Sequence, residues 1–178
     1  MPLTKVQDDG LNLTVAGLPT GAVLQVKSVT MTGVQSFAGT AFTAITDGTN
    51  ALSISITPTA SSSKFLLYLN INASADNGGS RFGFRFLRDS TVIGNSDTQG
   101  NRTPVATATQ GTDSNSIDLY STQMFLDSPA TASAITYSVK GQVESSSSNL
   151  HINRSGDNAN STTVYTTASS LTVMEIAG

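Results

Sequence analysis

The chain has no cysteine, a single histidine and little charge: only 12% of its 178 residues are Asp, Glu, Lys or Arg. Each shortage excludes something. Without cysteine there is neither a disulfide framework nor a thiolate-ligated metal site. Stability has to come from packing and, on this reading, from self-association. One histidine, His151, leaves little for nucleophilic catalysis, which needs a base beside the nucleophile. The G-x-S-x-G, Walker A, G-x-G-x-x-G and H-E-x-x-H patterns are all missing. Basic residues number only 9 against 12 acidic, for a net charge of −3, so no cationic face for nucleic acid is expected. No apolar run approaches the roughly 20 residues needed to span a bilayer, so membrane insertion is not expected.

The acidic residues follow the same logic. Asp47, Asp76, Asp89, Asp113 and Asp157 fall in turn-like contexts, where Asp bonds local backbone groups. Glu144 and Glu175 lie on strand patterns, and no spacing pairs them as a hydrolytic acid and base would require. "SADNGG", "GTDSN" and "SGDNANS" concentrate Asp and Asn, but none has the spacing of a calcium loop. The expectation is a protein without catalysis, cofactor or metal. "MPLTKVQDDGLNLTVAGLP" carries two Asp where a secretory signal would need an apolar centre, so export by that route is not expected.

What the chain does have is alternation. "ALSISITP" puts Leu52, Ile54 and Ile56 on one face and serines on the other. "KFLLYLNINASA" puts Phe65, Leu67, Leu69, Ile71 and Ala73 inward, while Leu66 and Tyr68 hint at a second buried surface. "RFGFRFLRDSTVIG" places Phe82, Phe84 and Phe86 opposite Arg81 and Arg85. "FLDSPATASAITYSVKGQV" reads as two strands hinged on a proline-containing turn, a hairpin. "DNGG" reads as a hairpin-type turn and "RDST" as a second tight turn. Residues 95–115 and 153–163 are long polar loops. Roughly eight to ten short strands with turn signals between them, and no amphipathic helix, predict an all-β, two-sheet antiparallel sandwich of jelly-roll type. Residues 1–20 lack sustained periodicity and read as a short extended N-terminal arm, with the head over 21–178.

A resemblance adds to this. "MPLTKVQDDGLNLT", "GAVLQVKSVTMTG", "SISITPTASSSKFLLYLNINAS", "FRFLRDSTVIG", "FLDSPATASAITYSVKGQV", "HINRSG" and "SSLTVMEIAG" resemble, in order, blocks of virion proteins from tailed bacteriophages of cyanobacteria and other aquatic bacteria. These are usually described as tail-fibre or virion structural proteins. The resemblance implies a jelly-roll head similar to tumour-necrosis-factor-like and C1q-like modules, a homotrimer, and assembly into virions within the host cytoplasm. It implies no catalysis. Fibre proteins often carry a long shaft before such a head. Residues 1–20 are short for one, which favours a compact knob, a short fibre or capsid decoration (cement) over a distal fibre tip. A free carbohydrate-binding module is a weaker alternative.

On this reading the arm's Leu3, Val6, Leu11, Leu13 and Val15 anchor the protein to other virion components, fibre, tail or capsid. Polar loops on a rigid sandwich are where recognition usually sits. The candidate recognition residues, for a host-surface glycan or protein, are Asn77, Asn101, Arg102, His151, Arg154, Asn158 and Tyr165. Strand alternation sets His151 opposite Leu150 and Ile152, a solvent-facing or interface position.

Overall fold

The computed structural model describes residues 18–76, 79–111, 119–157 and 159–178, and among them there is no helix. The strands are β1 (Val23–Met31), β2 (Gln35–Ala38), β3 (Thr43–Ala44), β4 (Ser53–Ile56), β5 (Lys64–Ala75), β6 (Arg81–Arg88), β7 (Thr91–Ile93), β8 (Thr107–Gln110), β9 (Leu119–Asp127), β10 (Ile135–Val143), β11 (Asn149–Ile152) and β12 (Ser169–Ile176). They form two antiparallel sheets packed face to face, so the chain is an all-β sandwich.

The strand count exceeds the expectation because several long strands are interrupted. In sheet A, β5 pairs with β9 on one side; on the other it pairs with β12 through its first half and β11 through its last residues. Beyond these lie β1, against β12, and β2, against β11. In sheet B, β10 lies between β6 and the segments β3 and β4, while β6 pairs on its far edge with β7 and β8. Joining the interrupted segments leaves sheets of β9, β5, β11/β12, β1/β2 and of β7/β8, β6, β10, β3/β4. The chain crosses between them repeatedly, the connectivity of a jelly roll.

Two turns read from the sequence are corrected here. "DNGG" follows β5 of sheet A and leads to β6 of sheet B, so it does not close a hairpin. "DSPAT" likewise joins β9 of sheet A to β10 of sheet B. Alternation reports that a strand has one buried face; it does not report which sheet supplies the cover. "RDST" does close a hairpin, β6 to β7, with Asp89 at φ 53° and its carboxylate accepting from Thr136 N.

The core comes from the alternating positions of both sheets: Phe65, Leu67, Leu69, Ile71, Leu171 and Val173 of sheet A meet Ile54, Ile56, Phe84, Phe86, Tyr137 and Val139 of sheet B. Each such side chain contributes about 1.5–3 kcal/mol on burial. Position 141 faces inward by the alternation of β10, and it is glycine because a Cβ there would meet the Phe84 ring, with Cε1 at 2.8 Å. One ion pair ties the sheets together. Asp127 of β9 accepts both from Arg88 Nη1, at 2.8 and 2.9 Å, and from Tyr137 OH at 2.7 Å. Burial and that bond push the Tyr137 hydroxyl far above its ordinary range. The buried Glu175 is answered by neutral donors, Gln25 Nε2 and Thr59 N at 2.5 Å and Thr59 Oγ1 at 2.8 Å. Gly21 and Ala22 pair with Ala177, so both ends of the described chain leave from one side.

Candidate functional site

Side chains that face the core have their work defined; a site has to lie on the outer faces. On sheet B the edge strand β7/β8 is broken by residues 94–106, and this insertion folds back over the sheet. Pro104 is the fastening: its carbonyl accepts from Arg85 Nε and from Asn95 Nδ2, each at 3.0 Å. The Arg85 guanidinium is sandwiched further by the Phe42 ring, 3.6 Å from its centroid. Gly83, at an outward position of β6, makes room, since a Cβ there would sit 3.0 Å from Val105 Cγ1.

The insertion does not cover the sheet completely. It leaves a cleft of about 510 Å³ lined by Arg81, Gly83, Asn101, Arg102, Thr103, Val105, Ala108, Gln142 and Glu144, with Phe82 beneath. Its floor is one cross-strand row, Gln142 opposite Gly83 and Gly83 opposite Ala108. The depression opens above Ala108, whose side chain is short, while Val105 covers Gly83. One wall is the pair Arg81–Glu144: Arg81 Nη1 and Arg81 N each donate to a Glu144 oxygen at 3.0 Å. The Arg81 backbone N–H, then its guanidinium, hold the Glu144 carboxyl below the usual carboxylate range. The other wall is Asn101–Thr103, where Arg102 donates from Nη1 to the Gln99 carbonyl at 3.3 Å. The cleft therefore offers planar donors, a carboxylate whose charge is matched, and one guanidinium without a carboxylate partner among the described residues.

The second polar cluster lies on sheet A. Ser36, His151 and Ser74 stand in one cross-strand row on its outer face. His151, expected at a solvent-facing or interface position, is only 3% exposed. The correction has a clear cause: the loop between β11 and β12 folds over this end of the sheet, with Ser74 Oγ donating to Arg154 O at 3.0 Å and Asn72 Nδ2 to Ala168 O at 2.7 Å. Both ring nitrogens are used. Ser36 Oγ lies 2.8 Å from Nδ1, and Nε2 meets the Asp76 carboxylate. Burial lowers the His151 pKa; the Asp76 bond opposes this and Arg154 adds to it. Burial would raise Asp76, but hydrogen bonds from His151 and Asn149 outweigh it and hold the carboxyl below its ordinary value.

Ser, His and Asp thus stand in relay order, which sequence reasoning missed because β2, β11 and the bend after β5 supply them separately. The hydroxyl is nevertheless a hub, not a free nucleophile: Ser36 Oγ accepts from Arg154 Nη2 at 2.8 Å and Nε at 3.2 Å. With its lone pairs engaged by Arg154, the hydroxyl has nothing directed outward for attack.

The recognition residues read from the sequence therefore separate into groups. Asn101 and Arg102 meet at the sheet B cleft, joined there by Arg81 and by Gln142 and Glu144, the last two not selected by sequence reasoning. His151 and Arg154 belong to the sheet A clasp. Tyr165, 71% exposed, sits on the covering loop. Asn77, Asn158 and the arm residues Leu3, Val6, Leu11, Leu13 and Val15 lie outside the described residues. Among the described residues, no three His, Asp or Glu side chains are grouped to hold a metal.

Among the described residues, nothing covers the rest of sheet A's outer face. Leu126 lies opposite Leu66, Leu66 opposite Met174, and Met174 opposite Val26, a row across four strands. Met124 and Tyr68 extend it. Val26 is 54% exposed, Met124 60% and Leu126 50%. Among these outward positions of β1, β12, β5 and β9 the only charge is Lys64, at the end of β5.

A β-sandwich with one bare apolar face and one polar cleft is as far as the geometry defines a class. No protein-family model matches the chain, and no curated protein is significantly similar to it.

Proposed function

We propose that the protein is a non-catalytic structural module of a bacteriophage virion, a compact knob that assembles with copies of itself and meets the host surface. The observation that carries this reading is the uncharged row Val26–Met174–Leu66–Leu126 on the outer face of sheet A. Exposed apolar surface of this kind marks an interaction site, and burying it stabilises association by about 25 cal/mol per Å² before the costs of ordering. The like surface of identical copies favours a closed cyclic assembly. The resemblance to virion head domains supports three as the number and a virion as the setting, with residues 1–20 as the attachment to neighbouring virion proteins.

The test is placement and mass together. Light scattering should give three times the chain mass, and a tag on the C-terminus should appear at tail appendages on imaged particles. Deletion of residues 1–20 should leave a soluble assembly that no longer joins particles. A monomer at tens of micromolar, or normal incorporation without residues 1–20, overturns the reading. Label at regular positions on the capsid shell would reassign the protein to head decoration.

A further inference from the structure

We propose that the cleft on sheet B binds an anionic sugar: a hydroxylated ring carrying a carboxylate, such as a uronic acid unit of a surface polysaccharide. At about 510 Å³ the cleft falls within the roughly 300–1,000 Å³ of small-molecule sites. Its chemistry narrows the class. Arg81 is matched in charge by Glu144, whereas Arg102, among the described residues, donates only to the Gln99 carbonyl of its own turn. One guanidinium is left to meet an anion, and its planar fork suits a carboxylate. The groups around it, Asn101, Thr103, Gln142 and the Arg81–Glu144 pair, supply donors and acceptors on two sides. Hydroxyls, which both donate and accept, satisfy such a mixed set; an inorganic anion would use the donors alone.

The floor agrees. Val105, packed over Gly83, and the exposed Ala108 form a shallow apolar strip against which the C–H face of a ring can lie. The lining offers no open aromatic platform, since Phe82 is 2% exposed. Stacking, the usual hold on a neutral sugar, is absent here, so charge and hydrogen bonds must carry recognition.

This deepens the host-contact reading by naming the ligand class, and only the biological source of the ligand rests on that reading. The test is a titration of the full-length protein, followed by amide chemical shifts. The probes are glucuronate, galacturonate and mannuronate oligosaccharides, matched neutral oligosaccharides, and inorganic phosphate. At least one uronate should saturate, shifting Gly83, Asn101, Arg102 and Gln142, with neutral counterparts about tenfold weaker or worse. Arg102→Gln should weaken uronate binding about tenfold with the melting temperature unchanged. Ala108→Tyr should block it in a protein whose fold is verified by its spectrum. Failure of every uronate, equal binding of neutral sugars, phosphate matching the uronates, or indifference to Arg102→Gln overturns the proposal. Light scattering on the same samples keeps the two readings apart. An assembled protein that ignores every uronate sinks the sugar site alone, and a monomer that binds sinks the assembly alone.

Discussion

The two sheets turn different outer faces outward. On sheet A the row Leu126–Leu66–Met174–Val26 runs across four strands with no charge, and nothing among the described residues covers it. On sheet B the corresponding surface carries Arg81, Arg85, Lys140 and Gln142, and the chain's own insertion is fastened over it through Pro104. Apolar burial is non-directional and scales with area, so the first face suits association of large surfaces. Hydrogen bonds and charges are directional, so the second suits selection of a small partner. The sandwich keeps the two tasks on opposite sides of one core.

The strongest way to break this comparison is a charge on the bare face. Leu126→Asp should abolish self-association while leaving the fold intact, because an unpaired carboxylate in an interface costs several kcal/mol and at a half-exposed edge position such as Leu126, 50% exposed, costs little. Ser138→Asp, the same charge on the outer face of β10, should leave association unchanged. Light scattering and circular dichroism on both variants check it. Equal effects from the two would mean that the faces do not differ in role.

A step down in size is the covering of sheet B. Gly83→Val would drive a side chain into Val105 and the Thr107 carbonyl, 3.0 and 3.2 Å from the position of its Cβ. Overpacking of this kind costs about 1–3 kcal/mol. Denaturant melts should show that loss, with the shifts of residues 101–105 changing first. A neutral effect would mean that the insertion is not packed on Gly83.

These devices were unevenly legible. Period-two alternation marks Leu52, Ile54 and Ile56, Phe82, Phe84 and Phe86, and Ile135, Tyr137 and Val139 as buried, and all are core residues. It is a local signal, and it survives whichever sheet receives the strand. Sheet membership is not local, which is why "DNGG" and "DSPAT" read as hairpins and are crossings. The cleft was half visible: Asn101 and Arg102 stand out in a polar loop, whereas Gln142, Gly83 and Ala108 become neighbours only once β10, β6 and β8 are in register. His151 failed for a related reason. Its own strand places it outward, and the loop that buries it comes after it in the chain.

The lining of the sheet B cleft contains no histidine, whereas buried His151 gives sheet A a pH dependence in the histidine range. Its folded-state pKa is lowered below 6.5, so the unfolded chain takes up the proton first. Stability should therefore fall as pH drops below about 6.5, and keep falling until the lowered pKa is passed. Asp76, lowered from 3.8, adds a second loss as pH falls through its own folded value. Melting temperature followed from pH 8 to 3 should show both, and His151→Gln should flatten the first. An unchanged slope in that variant would place the titrating group elsewhere.

The smallest expected effect is the most discriminating. Arg81 and Glu144 make the one ion pair at the cleft, yet their side chains are 68% and 38% exposed. Solvent screens such a pair, so the lowered pKa of Glu144 carries little into stability, and Glu144→Gln should change it by no more than about 0.5 kcal/mol. The charge balance changes much more. Glutamine keeps acceptor capacity on the wall but leaves the Arg81 guanidinium unmatched beside Arg102, so the positive charge of the cleft rises by one unit. Uronate affinity should then rise in a salt-dependent way while the melting temperature stays put. A large stability loss in Glu144→Gln would instead make the pair part of the scaffold, and the contrast between a face that assembles and a face that selects would lose its second half.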